Sequence, residues 1–215
     1  TIFEKSQPGH RGVNLPESGV PYTNPADQLP RHLLRQEAAD LPELLGRLPG
    51  VDIEHNGGRG SNATIRMRGA ESDQVLILVD GVRTASASNG ATAIQHIPLS
   101  QIERVEVVRG PRGGLYGSEA VGGVIQVFTK SGANAQDTFA PTVGLEYGSH
   151  NSVTTDAGFV GKSGNTRYSL NVVHEETDGI DRTVDNFAPN TDRDDYRETS
   201  ASASIGHTFD NGVIA

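Results

Sequence analysis

The sequence predicts an α+β domain, short helices on a small mixed sheet, followed by the first antiparallel strands of a transmembrane β-barrel. Three observations lead there. Short apolar runs separated by turn residues fill about residues 33 to 131, longer strands of regular alternation follow, and the connections between those later strands are short at one end and long and polar at the other. Composition agrees: a hydrophobic fraction of 34%, aromatics at 5%, no Trp and 26 Gly in 215 residues favour strands and turns over packed helices.

Residues 1–32 carry Pro8, Pro16, Pro21, Pro25 and Pro30 among polar residues, which interrupts regular structure repeatedly and reads as an extended leader. The domain at 33–131 opens with Leu33, Leu34, Ala38, Leu41, Leu44, Leu45 and Leu48 largely on one helical face. Asp40 is the expected N-cap of a helix over Leu41 to Leu48, with Pro42 in its first turn and Pro49-Gly50 as its stop. Strands are expected at Val51 to His55, Ala63 to Arg68, Gln74 to Val79, Arg104 to Val108 and Gly123 to Thr129. The run Val75-Leu76-Ile77-Leu78-Val79 is apolar on both faces, as a central strand covered on each side should be.

Residues 132–139 read as a linker, entered through Ser131-Gly132-Ala133-Asn134-Ala135, and residues 140–215 as barrel strands. Val143, Leu145 and Tyr147 alternate with Gly144 and Glu146. The same period holds for Tyr168, Leu170 and Val172, and for Ala201, Ala203 and Ile205. Gly148-Ser149 and Gly161-Lys162-Ser163-Gly164-Asn165 supply short turns, and about Glu175 to Arg197 forms a long connection. Roughly four strands fit here, whereas a closed membrane barrel needs at least about 8, so the expected barrel is incomplete within these residues.

A net charge of −9 argues against nucleic acid as a partner, and zero cysteines remove thiolate metal sites, disulfides and a cysteine nucleophile. No apolar run approaches the roughly 20 residues of a membrane-spanning helix, which fits a cytosolic chain or a β-barrel, whose alternating strands never form a continuous apolar run. Neither a nucleophile elbow nor a His-Glu-x-x-His pair is present, and Gly110-Pro111-Arg112-Gly113-Gly114 lacks the ending of a phosphate loop, so no catalytic residues are assigned. Asp181, Asn190, Asp192 and Asp194 in the long acidic loop offer the oxygen donors that calcium takes, or else form a solvated acidic loop. A soluble calcium-dependent β-rich binding module is one reading consistent with that loop.

The motifs are more specific than the composition. Leu41-Pro42-Glu43-Leu44-Leu45-Gly46-Arg47-Leu48-Pro49-Gly50-Val51, Ile65-Arg66-Met67-Arg68-Gly69, Val75 to Val82 with its Asp80-Gly81 turn, Ile102 to Pro111, and Leu115 to Ile125 occur in one order over most of residues 40 to 130. Together they resemble the plug domain of the TonB-dependent outer-membrane receptors. The resemblance implies active import of a scarce nutrient across the outer membrane of a Gram-negative bacterium, with the energy-coupling protein TonB and outer-membrane lipid as partners. A coupling segment of the family's usual pattern is not evident near Thr1-Ile2-Phe3.

Arg47 to Ile53, Asn56-Gly57-Gly58-Arg59-Gly60 and Asp80-Gly81-Val82-Arg83 are most similar to the cobalamin-receptor branch, which implies a corrinoid substrate. A ferric-siderophore receptor, taking an iron chelate, is the alternative within the family. Matching the branch's pattern places substrate contacts at Asn62, Thr64 and Glu71 and near Asn89 and Gly90. It also implies a calcium-ordered outer loop at the acidic residues above. Arg66, Arg68, Arg104, Arg109 and Arg112, read alone as solvated strand faces, become candidates for pairing with carboxylates on the barrel wall.

Overall fold

In the computed structural model the described residues are 28–30, 38, 40–84, 92–132, 135, 137–180, 194–209 and 212–214. Helix α1 spans Leu41–Gly46 behind an extended Asp40, whose Oδ1 accepts a hydrogen bond from the Glu43 N–H at 2.8 Å, with proline in its first turn. Asp40 is therefore the cap that the sequence suggests. The helix stops two residues earlier than expected. The N–H groups of Arg47 and Leu48 donate to the carbonyls of Leu44 and Leu45 at 3.3 and 3.0 Å, tightening the last turn. Leu41, Leu44 and Leu45 are buried and anchor this turn on the core.

Strands β2 (Val51–His55) and β3 (Ala63–Met67) form an antiparallel hairpin with Val51 opposite Met67 and Glu54 opposite Thr64. Alternation sends Ala63, Ile65 and Met67 into the core and turns Thr64 and Arg66 outward. The main sheet uses β1 (Gln28–Pro30), β4 (Val75–Val79), β5 (Val82–Arg83), β6 (Ile102–Arg109) and β7 (Gly123–Thr129) in the order β1-β6-β7-β4-β5. Only β4 and β7 pair in parallel. Strand β6 is longer than the expected Arg104 to Val108, because a register irregularity between Ile102 and Arg104 lets pairing continue to Thr129.

Both faces of β4 are covered, as its unbroken apolar run requires. Ile77 joins a large cluster with α1, the hairpin, Val105, Val107, Ile125 and Val127, while Leu76 and Leu78 join a smaller one with Ala120 and Val124. A helical turn, α2 (Gly113–Tyr116), lies between β6 and β7.

The remaining strands form a second, wholly antiparallel sheet. Strands β8 (Ala140–Tyr147), β9 (Val153–Ser163), β10 (Thr166–Thr177), β11 (Tyr196–Phe209) and β12 (Gly212–Ile214) run in sequence order. The expected five-residue turn at Gly161 to Asn165 is shorter. Strand β9 continues to Ser163 and only Gly164 and Asn165 turn the chain, with Gly164 at φ 57° in the first central position that a tight hairpin reserves for glycine. No helix among the described residues is long and apolar enough to cross a membrane.

Candidate functional site

The site is the seam where the α+β domain meets the strand wall, and the period of the wall strands creates it. On one face Val143, Leu145, Tyr147, Leu170, Val172 and Ile205 are exposed apolar residues, while their neighbours along the strands face the α+β domain and are mostly polar or glycine, with Val173 a buried apolar exception. Thr154, Asp156, Ser169 and Asn171 are buried on that inner face. The register aligns Glu146 with Thr154, Thr154 with Glu175, and Glu175 with Glu198, which sets three carboxylates in one row across the wall.

Residues from two loops of the α+β domain meet that row. Arg59, in the loop between β2 and β3, donates from Nη1 to Ser152 Oγ at 3.0 Å and from Nη2 to Glu175 Oε1 at 3.2 Å. Both ionic partners are shielded, with side-chain exposures of 22% and 15%. His96 Nδ1 lies 3.0 Å from Glu198 Oε2 and 3.4 Å from the Tyr196 hydroxyl, and Tyr196 in turn donates to Glu198. Gly60, at φ 78°, sits so close beneath the Tyr196 ring that an added Cβ would lie 2.8 Å from Cζ and nearer still to two other ring carbons. Thr138 accepts a hydrogen bond from the Tyr168 hydroxyl and Asp137 accepts one from the Lys162 N–H, so the start of the wall is held as well.

Of the expected substrate residues, Asn62, Thr64 and Glu71 lie among the described residues, on and next to the hairpin. Asn62 closes the 56–62 loop, its carbonyl accepting from the Asn56 N–H at 3.1 Å and its Oδ1 accepting from Gln95 Nε2 at 3.2 Å. Thr64 lies on β3, and Glu71 lies beyond the end of that strand, where Arg66 links it to Glu54 through contacts of 3.2 and 2.8 Å. Asn89 and Gly90 lie outside the described residues, as do Asp181, Asn190 and Asp192 of the acidic loop. Asp194 is described and exposed, and its N–H donates to the Ile180 carbonyl at 3.3 Å, drawing the two ends of that loop together. Among the described residues no group of three or more His, Cys, Asp or Glu could hold a metal ion.

Among the described residues, the five arginines expected at the wall make the following contacts within the α+β domain. Arg66 pairs with Glu71 and Glu54, which raise its already high pKa. Arg68 adopts φ 53° after β3 and donates its N–H to the Gly50 carbonyl. Arg104 binds Glu106 at 2.9 Å and stacks 3.7 Å from the centre of the Phe128 ring. Arg109 donates to the Pro49 carbonyl at 2.9 Å, and the Arg112 carbonyl accepts the first bonds of α2. Beside them, burial and the Glu106 charge push the Tyr116 phenol above its ordinary pKa, so it stays protonated where Gln126 Nε2 donates to it at 3.4 Å.

Arg59 and His96, which contact the wall here, are not among the wall contacts expected from the sequence. The available signal was a long cation alone in a glycine-rich loop, Asn56 to Gly60, at the tip of a predicted hairpin.

Comparison with known proteins adds the following. Residues 23–124 match the model of the TonB-dependent Receptor Plug Domain family. The chain is 41% identical over 175 residues to "Vitamin B12 transporter BtuB" of Vibrio cholerae serotype O1, a match over 81% of this chain and 28% of that protein. It is 49% identical over 100 residues to the transporter of the same name from Vibrio vulnificus, covering 46% of this chain and 16% of that one. The chain thus spans under a third of the length of these curated relatives.

Among solved structures, the FrpB iron transporter of Neisseria meningitidis superposes with a TM-score of 0.68 at 19% identity, over 86% of this chain and 29% of that one. A ferric enterobactin receptor of Pseudomonas aeruginosa, in complex with enterobactin, gives 0.64 at 24%, over 85% and 30%. At those identities the structures speak for the fold.

Proposed function

Because this chain belongs to the TonB-dependent receptors, of which it holds the plug domain and the first antiparallel strands of an unclosed barrel, we propose that it is part of an outer-membrane importer of cobalamin or a related corrinoid. The observation that carries the substrate is the 41% identity to a vitamin B12 transporter, which extends beyond the plug into the wall strands. Family membership sets aside the soluble binding module. The mechanism needs no covalent chemistry. Ligand settles on the outer loops of plug and wall, and TonB then draws on the plug, whose seam with the wall is polar and can trade its contacts for others as the plug is remodelled.

The experiment is uptake of labelled cyanocobalamin by Gram-negative cells lacking their own B12 receptor and carrying the full-length gene. Import above the vector control, lost when TonB is deleted, is the expected result; uptake no greater than the control refutes the reading. One alternative within the same family is a ferric-siderophore receptor. In a competition assay a ferric chelate that displaces cyanocobalamin, or binds where it does not, would decide for that alternative.

Calcium at Asp181, Asn190, Asp192 and Asp194 belongs to the same proposal. The support is chemical: closely spaced oxygen donors on a loop whose ends are tied by the Asp194 to Ile180 hydrogen bond. Calorimetric titration of the full-length receptor with calcium is expected to show binding that Asp192→Asn with Asp194→Asn weakens by at least about tenfold, because charge count sets affinity in such sites. Equal binding by the double variant would exclude these ligands.

A further inference from the structure

We infer that Arg59 is a positioning residue for ligand recognition, fixing the apical 56–62 loop, and Asn62 with it, against the wall through Glu175 and Ser152. The inference rests on the import reading above.

Arg59 joins a plug loop to the wall. Its two guanidinium nitrogens reach separate elements, the turn before β9 and the strand β10, so the loop is held at two points rather than by one swinging contact. Shielding separates this pair from the surface pair Arg47–Glu43, whose side chains are 47% and 44% exposed and which salt and water can exchange freely. The neighbouring Gly60 packs under Tyr196 with no space for a methyl group, which fixes the depth to which the loop descends. Within the loop, Ser61 donates to the Gly58 carbonyl from both its hydroxyl, at 2.6 Å, and its N–H, at 3.1 Å. Arg59 and Gly60 therefore sit inside a closed turn, and Asn62 follows directly.

The geometry makes Arg59 an anchor whose effect on ligand is indirect. Releasing it lets the loop sample positions in which Asn62 is misplaced, and apparent affinity falls in proportion to the fraction of loop still in place. The purified full-length receptor in detergent is the material for the test. Hydrogen exchange across residues 56–62 and the Kd for cyanocobalamin are measured in the native protein, Arg59→Ala, Arg59→Gln, and the exchanged pair Arg59→Glu with Glu175→Arg.

Arg59→Ala and Arg59→Gln are expected to speed exchange in the loop and weaken binding about tenfold, as when the competent fraction drops to about a tenth. The exchanged pair is expected to recover both. Native exchange rates in Arg59→Ala overturn the inference. So does weaker binding with unchanged exchange, which would mean that Arg59 touches the ligand itself. If the native receptor fails to bind cyanocobalamin the import reading falls, while the exchange rates still decide whether Arg59 holds the loop.

Discussion

Gly123→Ala is expected to destabilise the plug by about 3 kcal/mol, at the upper end of what overpacking one methylene costs. Gly123 opens β7 opposite Arg109 of β6 and beside Val75 of β4. A Cβ there would lie 2.5 Å from the Val108 carbonyl oxygen, and closer still to Met67 Sδ. Sulfur at the end of a flexible chain can move, but the carbonyl belongs to the ladder that holds β6 to β7, so relief must come from parting two central strands. Gly113→Ala is the control. Its added Cβ meets nothing within 4 Å, and in the helical turn α2 alanine is favoured over glycine. Hydrogen exchange across β6 and β7 in the full-length receptor should therefore accelerate in the first variant and hold or slow in the second.

Ile125→Ala is expected to cost about 3–4 kcal/mol, within the range for emptying a buried isoleucine site. Ile125 is fully buried on the side of β7 facing α1 and the hairpin, where Ile77, Val105, Val107 and Val127 surround it. The adjacent Val124, on the opposite face, belongs to the small cluster with Leu76, Leu78 and Ala120. Val124→Ala removes less volume from a smaller cluster and should cost roughly half as much. Limited proteolysis of the purified receptor reads the difference, with plug cleavage expected first in Ile125→Ala, then Val124→Ala. The reverse order would mean that the small cluster carries the sheet.

The strands of the plug were legible because their patterns are local. Val51–His55 and Gly123–Thr129 are bounded by glycine or proline and carry strand-forming residues between, and both formed at the expected bounds. Asp40 was legible as a cap for the same reason. What failed locally was the end of α1, where Arg47 and Leu48 continue the helical pattern but their N–H groups bond three residues back, and the turn at Gly161, where glycine lies within β9. Strand β9 itself was not picked out. Its run Thr154-Thr155-Asp156-Ala157-Gly158 alternates buried with exposed positions, yet hides this in side chains that are polar or small on both faces. The seam was illegible for a different reason. Arg59 and Glu175 are 116 residues apart, and nothing in either segment's spacing points to the other. Only the register places Glu146, Glu175 and Glu198 in one row.

Strand β1 gives the plug an asymmetric fastening. Three residues at the rim of the main sheet pair with Glu106, Val105 and Arg104, and beyond them β6, β7 and β4 are joined by longer ladders over a shared apolar core. A pull applied through the chain ahead of Gln28 would meet these three rungs at the sheet edge first. The main sheet thus offers a short outer strand to any such load, set apart from the longer ladders over the core.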